Sequence, residues 1–200
     1  GVLQAEIIPV TIKTRRGEHT VEHDEQPLKG RPDKIPALRP AFTKDGTITA
    51  ANSSSISDGA SALLVASASA VEAHNLNPMA KIVAHARFSR APEEFTLAPV
   101  GAIEKLLART GWDAADVDLW EINEAFAMVT MLAMNAFNLD HERVNVHGGA
   151  CAQGHPIGST GSRILVTLAH ALQHQGKQRG VAALCIGGGE ATAVAIERVV

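Results

Sequence analysis

Val181-Ala-Ala-Leu-Cys185-Ile-Gly-Gly-Gly189-Glu-Ala-Thr-Ala-Val-Ala-Ile196 is the stretch whose reading decides the fold. Residues 180–186 and 191–199 are short apolar runs set apart by three consecutive glycines, the pattern of two strands. The few residues between them cannot hold a helix, so the strands form a hairpin. Upstream, strands and helices alternate. Residues 81–88 read as a strand, and residues 99–109 as a helix with Val100, Ile103, Leu106 and Leu107 on one face, stopped by Gly111. A strand at 117–122 and a helix at 124–137 follow. Next come a strand at 144–147 and a helix at 158–175 whose apolar stripe is Ile164, Leu165, Leu168 and Leu172. The order β-α-β-α-β-α-β-β predicts an α/β fold, a five-stranded mixed sheet covered by helices.

The N-terminal part is less regular. Residues 7–14 and 20–22 read as short strands around a turn at Arg15-Arg16-Gly17. Pro27, Pro32, Pro36 and Pro40 punctuate the next stretch, where Lys29, Arg31, Lys34, Arg39 and Lys44 face Asp33 alone. That local positive excess suits either a solvated loop or an anion-facing surface. Residues 61–67 contain Ala-Leu-Leu-Val-Ala, read as a short buried strand, and an Ala-rich helix runs on to about Asn75.

Two hundred residues can bury a substantial core, and 46% apolar with 20% charged residues is the make-up of an ordinary globular chain. A net charge of −3 argues against a general nucleic-acid binder. No apolar run approaches the roughly 20 residues of a membrane span. Two cysteines make no disulfide framework, so a reducing compartment, cytoplasm or an organelle matrix, is expected. The chain opens Gly1-Val-Leu without an initiator Met and is expected to be a piece of something longer.

Three motifs carry candidate chemistry. Asn123 stands where a strand gives way to a helix, a place for ligands in open α/β sheets, though an asparagine there also serves as a helix N-cap. His155, in Gly154-His155-Pro156-Ile157-Gly158, precedes a helix whose positive end favours the neutral imidazole. Such a ring can accept a thiol proton, or it can be a satisfied loop histidine. Cys185 ends a strand before three glycines, whose open N–H groups make a good oxyanion site. Alone, it would read as an inert core thiol. Cys151 lacks such a context and reads as packing. His147, Cys151 and His155 would resemble metal ligands on a helix, but Gly148, Gly149, Gly154 and Pro156 argue against that helix, and no metal site is expected. The triple glycine lacks the spacing and the Lys-Ser/Thr of a phosphate loop. A thiol, an imidazole and an amide are the parts for acyl transfer joined to proton removal beside a carbonyl.

Leu38-Arg-Pro-Ala-Phe42, Asp45-Gly-Thr-Ile-Thr49, Asn52 to Gly59, Asn123-Glu-Ala-Phe-Ala127, Gly148 to Gly161 and Cys185-Ile-Gly-Gly-Gly189 together resemble the thiolase family. The resemblance is to the C-terminal half of the acetyl-CoA acetyltransferase group and runs nearly end to end. It implies a thiolase-type C-terminal domain over residues 80–200. Residues 58–79 would be the closing strand and helix of a largely absent N-terminal domain, and residues 1–57 the remainder of a coenzyme A-binding loop domain. It implies that His155 activates a nucleophilic cysteine and, with a water held by Asn123, stabilises a thioester oxygen. Cys185 would move the α-proton, and Gly187 would supply an oxyanion N–H. Leu38, Ala50, Ser54, Phe95, Ala125 and Phe126 match positions lining the coenzyme A and acyl channel.

The implied partners are acetyl-CoA, acetoacetyl-CoA and coenzyme A as substrates, with no cofactor, and a homodimer or homotetramer at full length. Longer 3-ketoacyl-CoA substrates are the alternative activity, and a non-catalytic coenzyme A-binding fragment is the alternative of another class. The family's nucleophilic cysteine has no counterpart here. Residues 52–57, Asn-Ser-Ser-Ser-Ile-Ser, replace a more usual Asn-Ala-Ser-Gly-Leu-Asn, and Gln153 replaces an aliphatic residue.

Overall fold

Strand β1 (Val10–Thr14) pairs with β2 (Gly17–Val21) in an antiparallel hairpin around the expected Arg15-Arg16 turn. The computed structural model describes residues 1–199; Val200, the last residue of the expected domain, lies outside them. Helix α1 (Ala68–Ala73) is capped by the Ser67 hydroxyl, which accepts from the Ala70 N–H. The chain then runs through β3 (Ala80–Ser89), α2 (Ala98–Thr110), β4 (Leu119–Ile122) and α3 (Ala127–Phe137). The single turn α4 (Ala150–Gln153), α5 (Thr160–His174), β5 (Arg179–Ile186) and β6 (Glu190–Arg198) complete it. The sheet order is β3-β6-β5-β4, with β6 antiparallel to both neighbours and β4 parallel to β5. The sheet is mixed, as expected, and the β5–β6 hairpin is its centre.

It has four strands, not the expected five. Val144 makes one parallel bridge to Trp120, and the chain then turns away at Asn145, whose φ is +49°. The Asn145 side chain takes the place of further ladder bonds. Its Oδ1 accepts from the Ile122 N–H at 2.8 Å and its Nδ2 donates to the Ile122 carbonyl at 2.9 Å. With both backbone groups of Ile122 satisfied by one side chain, residues 144–147 need not continue as a strand.

Alternation along the strands sends two sets of side chains to opposite faces. Trp120 and Ile122 of β4, Val181 and Ala183 of β5, and Ala191, Ala193 and Ala195 of β6 pack with Ile103 and Leu106 of α2 and Ala133 of α3. On the other face Leu119, Ala182 and Ile196 lie under Ile164, Leu168, Ala171 and Leu172 of α5. Each large side chain so buried contributes about 1.5–3 kcal/mol. Small strand residues let the helices approach; a Cβ on Gly180 would lie 2.9 Å from the Leu168 side chain. The expected α2 and α5 stripes are therefore the core faces, with Val100, Leu107 and Leu165 at their margins.

No residue before Ala86 is buried. The strand expected within 61–67 does not form: Leu63, Leu64 and Val65 are exposed, Leu64 to 88%. A strand needs a neighbour for its N–H and C=O groups, and neither sheet lies alongside. Among the described residues no helix is long and apolar enough to cross a membrane.

Candidate active site

Parallel strands end at the same edge of a sheet, and this is what gathers the motifs. Ile122 pairs with Ala183, the Asn123 N–H donates to the Ala183 carbonyl at 2.9 Å, and Cys185 stands two residues further along β5. Asn123 is buried. It is no N-cap: α3 begins four residues later at Ala127, after an extended Phe126, with no side-chain cap.

Residues 123–127 are instead stitched to the loop 52–56. The Ser54 N–H and hydroxyl both donate to the Ala125 carbonyl, and the Ala127 N–H donates to Asn52. The same loop holds the other motif, since the His155 N–H donates to the Ser55 carbonyl at 2.9 Å and Ile56 bridges His155 in parallel. Gly154 is required here. Its φ is +90°, and a Cβ would collide with the Ser57 side chain.

The loop thus draws the two side chains together, and the Asn123 Nδ2 lies 3.4 Å from the His155 Nε2. On the far side of the ring, Nδ1 is 2.7 Å from the Thr160 Oγ1. Burial, then the positive charge of Arg163, hold the imidazole below its ordinary pKa, so it is neutral at pH 7. The Asn123 Oδ1 is buried with no hydrogen-bond partner among the described residues. Cys185 is 8% exposed, and burial pushes its thiol above the ordinary value. Gly187 lies exposed in the turn between β5 and β6.

The family models agree with this arrangement along almost the whole chain: "Thiolase, N-terminal domain" matches residues 1–69 and "Thiolase, C-terminal domain" residues 76–198. The chain belongs to the thiolase family. Over 199 residues it is 48% identical to a probable acetyl-CoA acetyltransferase of Dictyostelium discoideum, covering 99% of this chain and 48% of that protein. It is 46% identical to the acetyl-CoA acetyltransferase of Escherichia coli, over 99% of this chain and 50% of that one. Among solved structures, the Bacillus anthracis acetyl-CoA acetyltransferase superposes with a TM-score of 0.96 at 40% identity, covering all of this chain and 51% of the other. An Ascaris suum thiolase in complex with coenzyme A gives 0.88 at 42% identity, covering all of this chain and 50% of the other. This thiolase chain spans about half the length of the relatives it matches.

Other expected site residues divide into two groups. Phe126 meets Phe95 and Phe42 edge-on, with ring centroids 6.3 and 6.1 Å apart, forming an aromatic ledge beside Ala125 and Ser54. Leu38 and Ala50 are exposed, and no hydrogen bond or aromatic contact ties either to the ledge. Cys151 is half-buried against Glu124. Its N–H donates to the Glu124 Oε2 at 3.1 Å, and burial followed by the Glu124 charge pushes its thiol up to about 12. A thiol so placed stays protonated and unreactive at neutral pH.

Sequence reasoning missed Thr160, Glu124 and Asn145. Glu124 bridges the Asn145 Nδ2 and the Cys151 N–H, and a Cβ on Gly149 would collide with its carboxylate. The only signal was Gly149 itself, a glycine without a turn to explain it.

Proposed function

We propose that the chain is the part of an acetyl-CoA acetyltransferase that carries the imidazole, the amide and the proton-transfer thiol. The reaction interconverts two acetyl-CoA with acetoacetyl-CoA and coenzyme A through an acyl-cysteine. The acylated cysteine belongs to a part of the parent protein beyond these residues. Of the two cysteines here, Cys151 is held protonated beside Glu124 and Cys185 has the proton-transfer task. Residues 58–79 would complete the sheet of that other part, whose edge would supply partners for residues 63–65.

In the first half-reaction the His155 Nε2 accepts the nucleophile's proton, and the thiolate attacks the thioester. The negative oxygen is stabilised by the imidazole and by a water bound to Asn123, in a site whose burial strengthens each hydrogen bond. In the second, Cys185 exchanges the α-proton of the other acetyl group while the Gly187 N–H supports the enolate oxygen. Coenzyme A thioesters are substrates, and the chemistry needs no cofactor or metal. Phe95, Phe126, Ala125, Ser54, Leu38 and Ala50 would line the path of the acyl chain and pantetheine. The full-length protein would act as a homodimer or homotetramer.

The observation that carries this reading is the 3.4 Å approach of Asn123 to His155 at the end of the parallel pair that brings Cys185 to the same edge. Curated relatives 42–48% identical to this chain carry the name acetyl-CoA acetyltransferase, which supports the short substrate. The test is coenzyme A-dependent cleavage by the purified full-length parent, set beside these 200 residues alone. Rapid cleavage of acetoacetyl-CoA by the parent and none by the 200 residues is expected. Preference for a long 3-ketoacyl-CoA would sink the short-chain assignment, and activity of the 200 residues alone would sink the external nucleophile.

A further inference from the structure

We propose that Thr160 is the positioning residue that sets the tautomer and aim of His155, keeping Nε2 without a hydrogen so that it can accept one from the incoming thiol. Thr160, the first residue of α5, is fully buried. Its hydroxyl donates to the Pro156 carbonyl at 3.0 Å, and a carbonyl can only accept. With that hydrogen on Pro156, the Thr160 Oγ1 is the acceptor towards the His155 Nδ1 at 2.7 Å, and in the proposed tautomer Nδ1 carries the ring hydrogen. The opposite nitrogen is then the acceptor, 3.4 Å from the Asn123 Nδ2, a separation that an incoming thiol can replace. Polarity therefore runs one way, from Asn123 through the ring to Thr160 and Pro156. The reverse order would put a hydrogen on Nε2 and leave no lone pair for the thiol.

A hydroxyl fixes the ring without adding negative charge beside it, unlike the carboxylate that orients many catalytic histidines. The neutral ring that results agrees with the burial and the Arg163 charge that already disfavour imidazolium. In the step served, the nucleophile's S–H bond breaks, a bond forms between that hydrogen and Nε2, and Nδ1–H stays on the Thr160 oxygen. This role rests on the thiolase reading, whereas the tautomer itself does not.

Long-range proton–nitrogen correlation spectra of the 200-residue chain at neutral pH read the tautomer directly. The His155 signals, among nine histidines, are assigned by their loss in His155→Gln. Expected is a protonated Nδ1 and an unprotonated Nε2 in the unaltered chain and in Thr160→Ser, and a mixture of both forms in Thr160→Val. In the full-length parent, single-turnover acylation should fall about 10- to 100-fold in Thr160→Val, the range for groups that orient a functional side chain, and recover in Thr160→Ser. A hydrogen on Nε2 in the unaltered chain overturns the proposal, even if Thr160→Val fails to fold. So does an unchanged tautomer in Thr160→Val, whatever its acylation rate. A parent protein that shows the expected tautomers but never acylates would instead overturn the thiolase reading.

Discussion

Cys185 and Cys151 have the same side chain in two electrostatic settings. Both thiols are raised by burial, but Cys151 also has the Glu124 carboxylate against it, whereas Cys185 stands beside the exposed Gly187 turn. The proposed function gives the proton-transfer task to Cys185 alone. In the full-length parent, Cys185→Ser should slow deuterium exchange at the acetyl-CoA methyl group by about 10²–10⁴, the worth of a general acid–base step. Acylation should suffer less, because His155 and Asn123 are untouched. Cys151→Ser should change stability alone, by roughly 0.5–3 kcal/mol. Normal methyl exchange in Cys185→Ser, or lost exchange in a folded Cys151→Ser, would show the two roles to be reversed.

At the scale of elements, the site depends on where β4 stops. The Asn145 side chain closes that edge, and the expected fifth strand was legible only as the alternation Val144-Asn145-Val146, of which tertiary pairing used a single bridge at Val144. Asn145→Ala leaves the Ile122 N–H without its partner, while the Ile122 C=O keeps the Thr130 hydroxyl, and it strains a backbone at φ +49°, so a loss of about 2–4 kcal/mol is expected. Asn138→Ala is the control. It sits at φ +51° after α3 with no side-chain hydrogen bond among the described residues, and should cost only about 1–2 kcal/mol. Urea unfolding followed by tryptophan fluorescence compares them, and equal losses would mean the backbone angle, not the amide pairing, is what Asn145 supplies.

Across the whole molecule, the N-terminal segment is tied to α5 through Glu6, whose Oε2 accepts from the Thr167 hydroxyl at 2.8 Å. Glu121 lies buried nearby. Arg163 is 3.7 Å from its Oε2, too long for a hydrogen bond, and does not offset burial, which raises the Glu121 carboxyl from 4.5 to about 8. The carboxyl is therefore neutral at pH 7. Below about pH 4.5 it is protonated in folded and unfolded chains alike, and its favourable contribution is fully present. As pH rises towards 8 the unfolded chain releases the proton that the folded chain keeps, and stability falls. Unfolding free energies at pH 5 to 8 should fall by a few kcal/mol relative to those of Glu121→Gln. Parallel curves for the two proteins would contradict a neutral Glu121.

The amino-acid sequence by itself determined the alternation of strands and helices, the core stripes of α2 and α5, the central hairpin and the three motifs of the site. Each rests on a periodicity or a glycine that acts over a few residues. The stop at Asn145, the exposure of residues 63–65, and the contacts of Asn123 and Thr160 with His155 came from the tertiary structure. The reason is physical: a side chain that replaces a strand, a strand without a neighbour, and a hydrogen-bond chain between residues 32 apart in sequence are all decided by partners brought close only by folding.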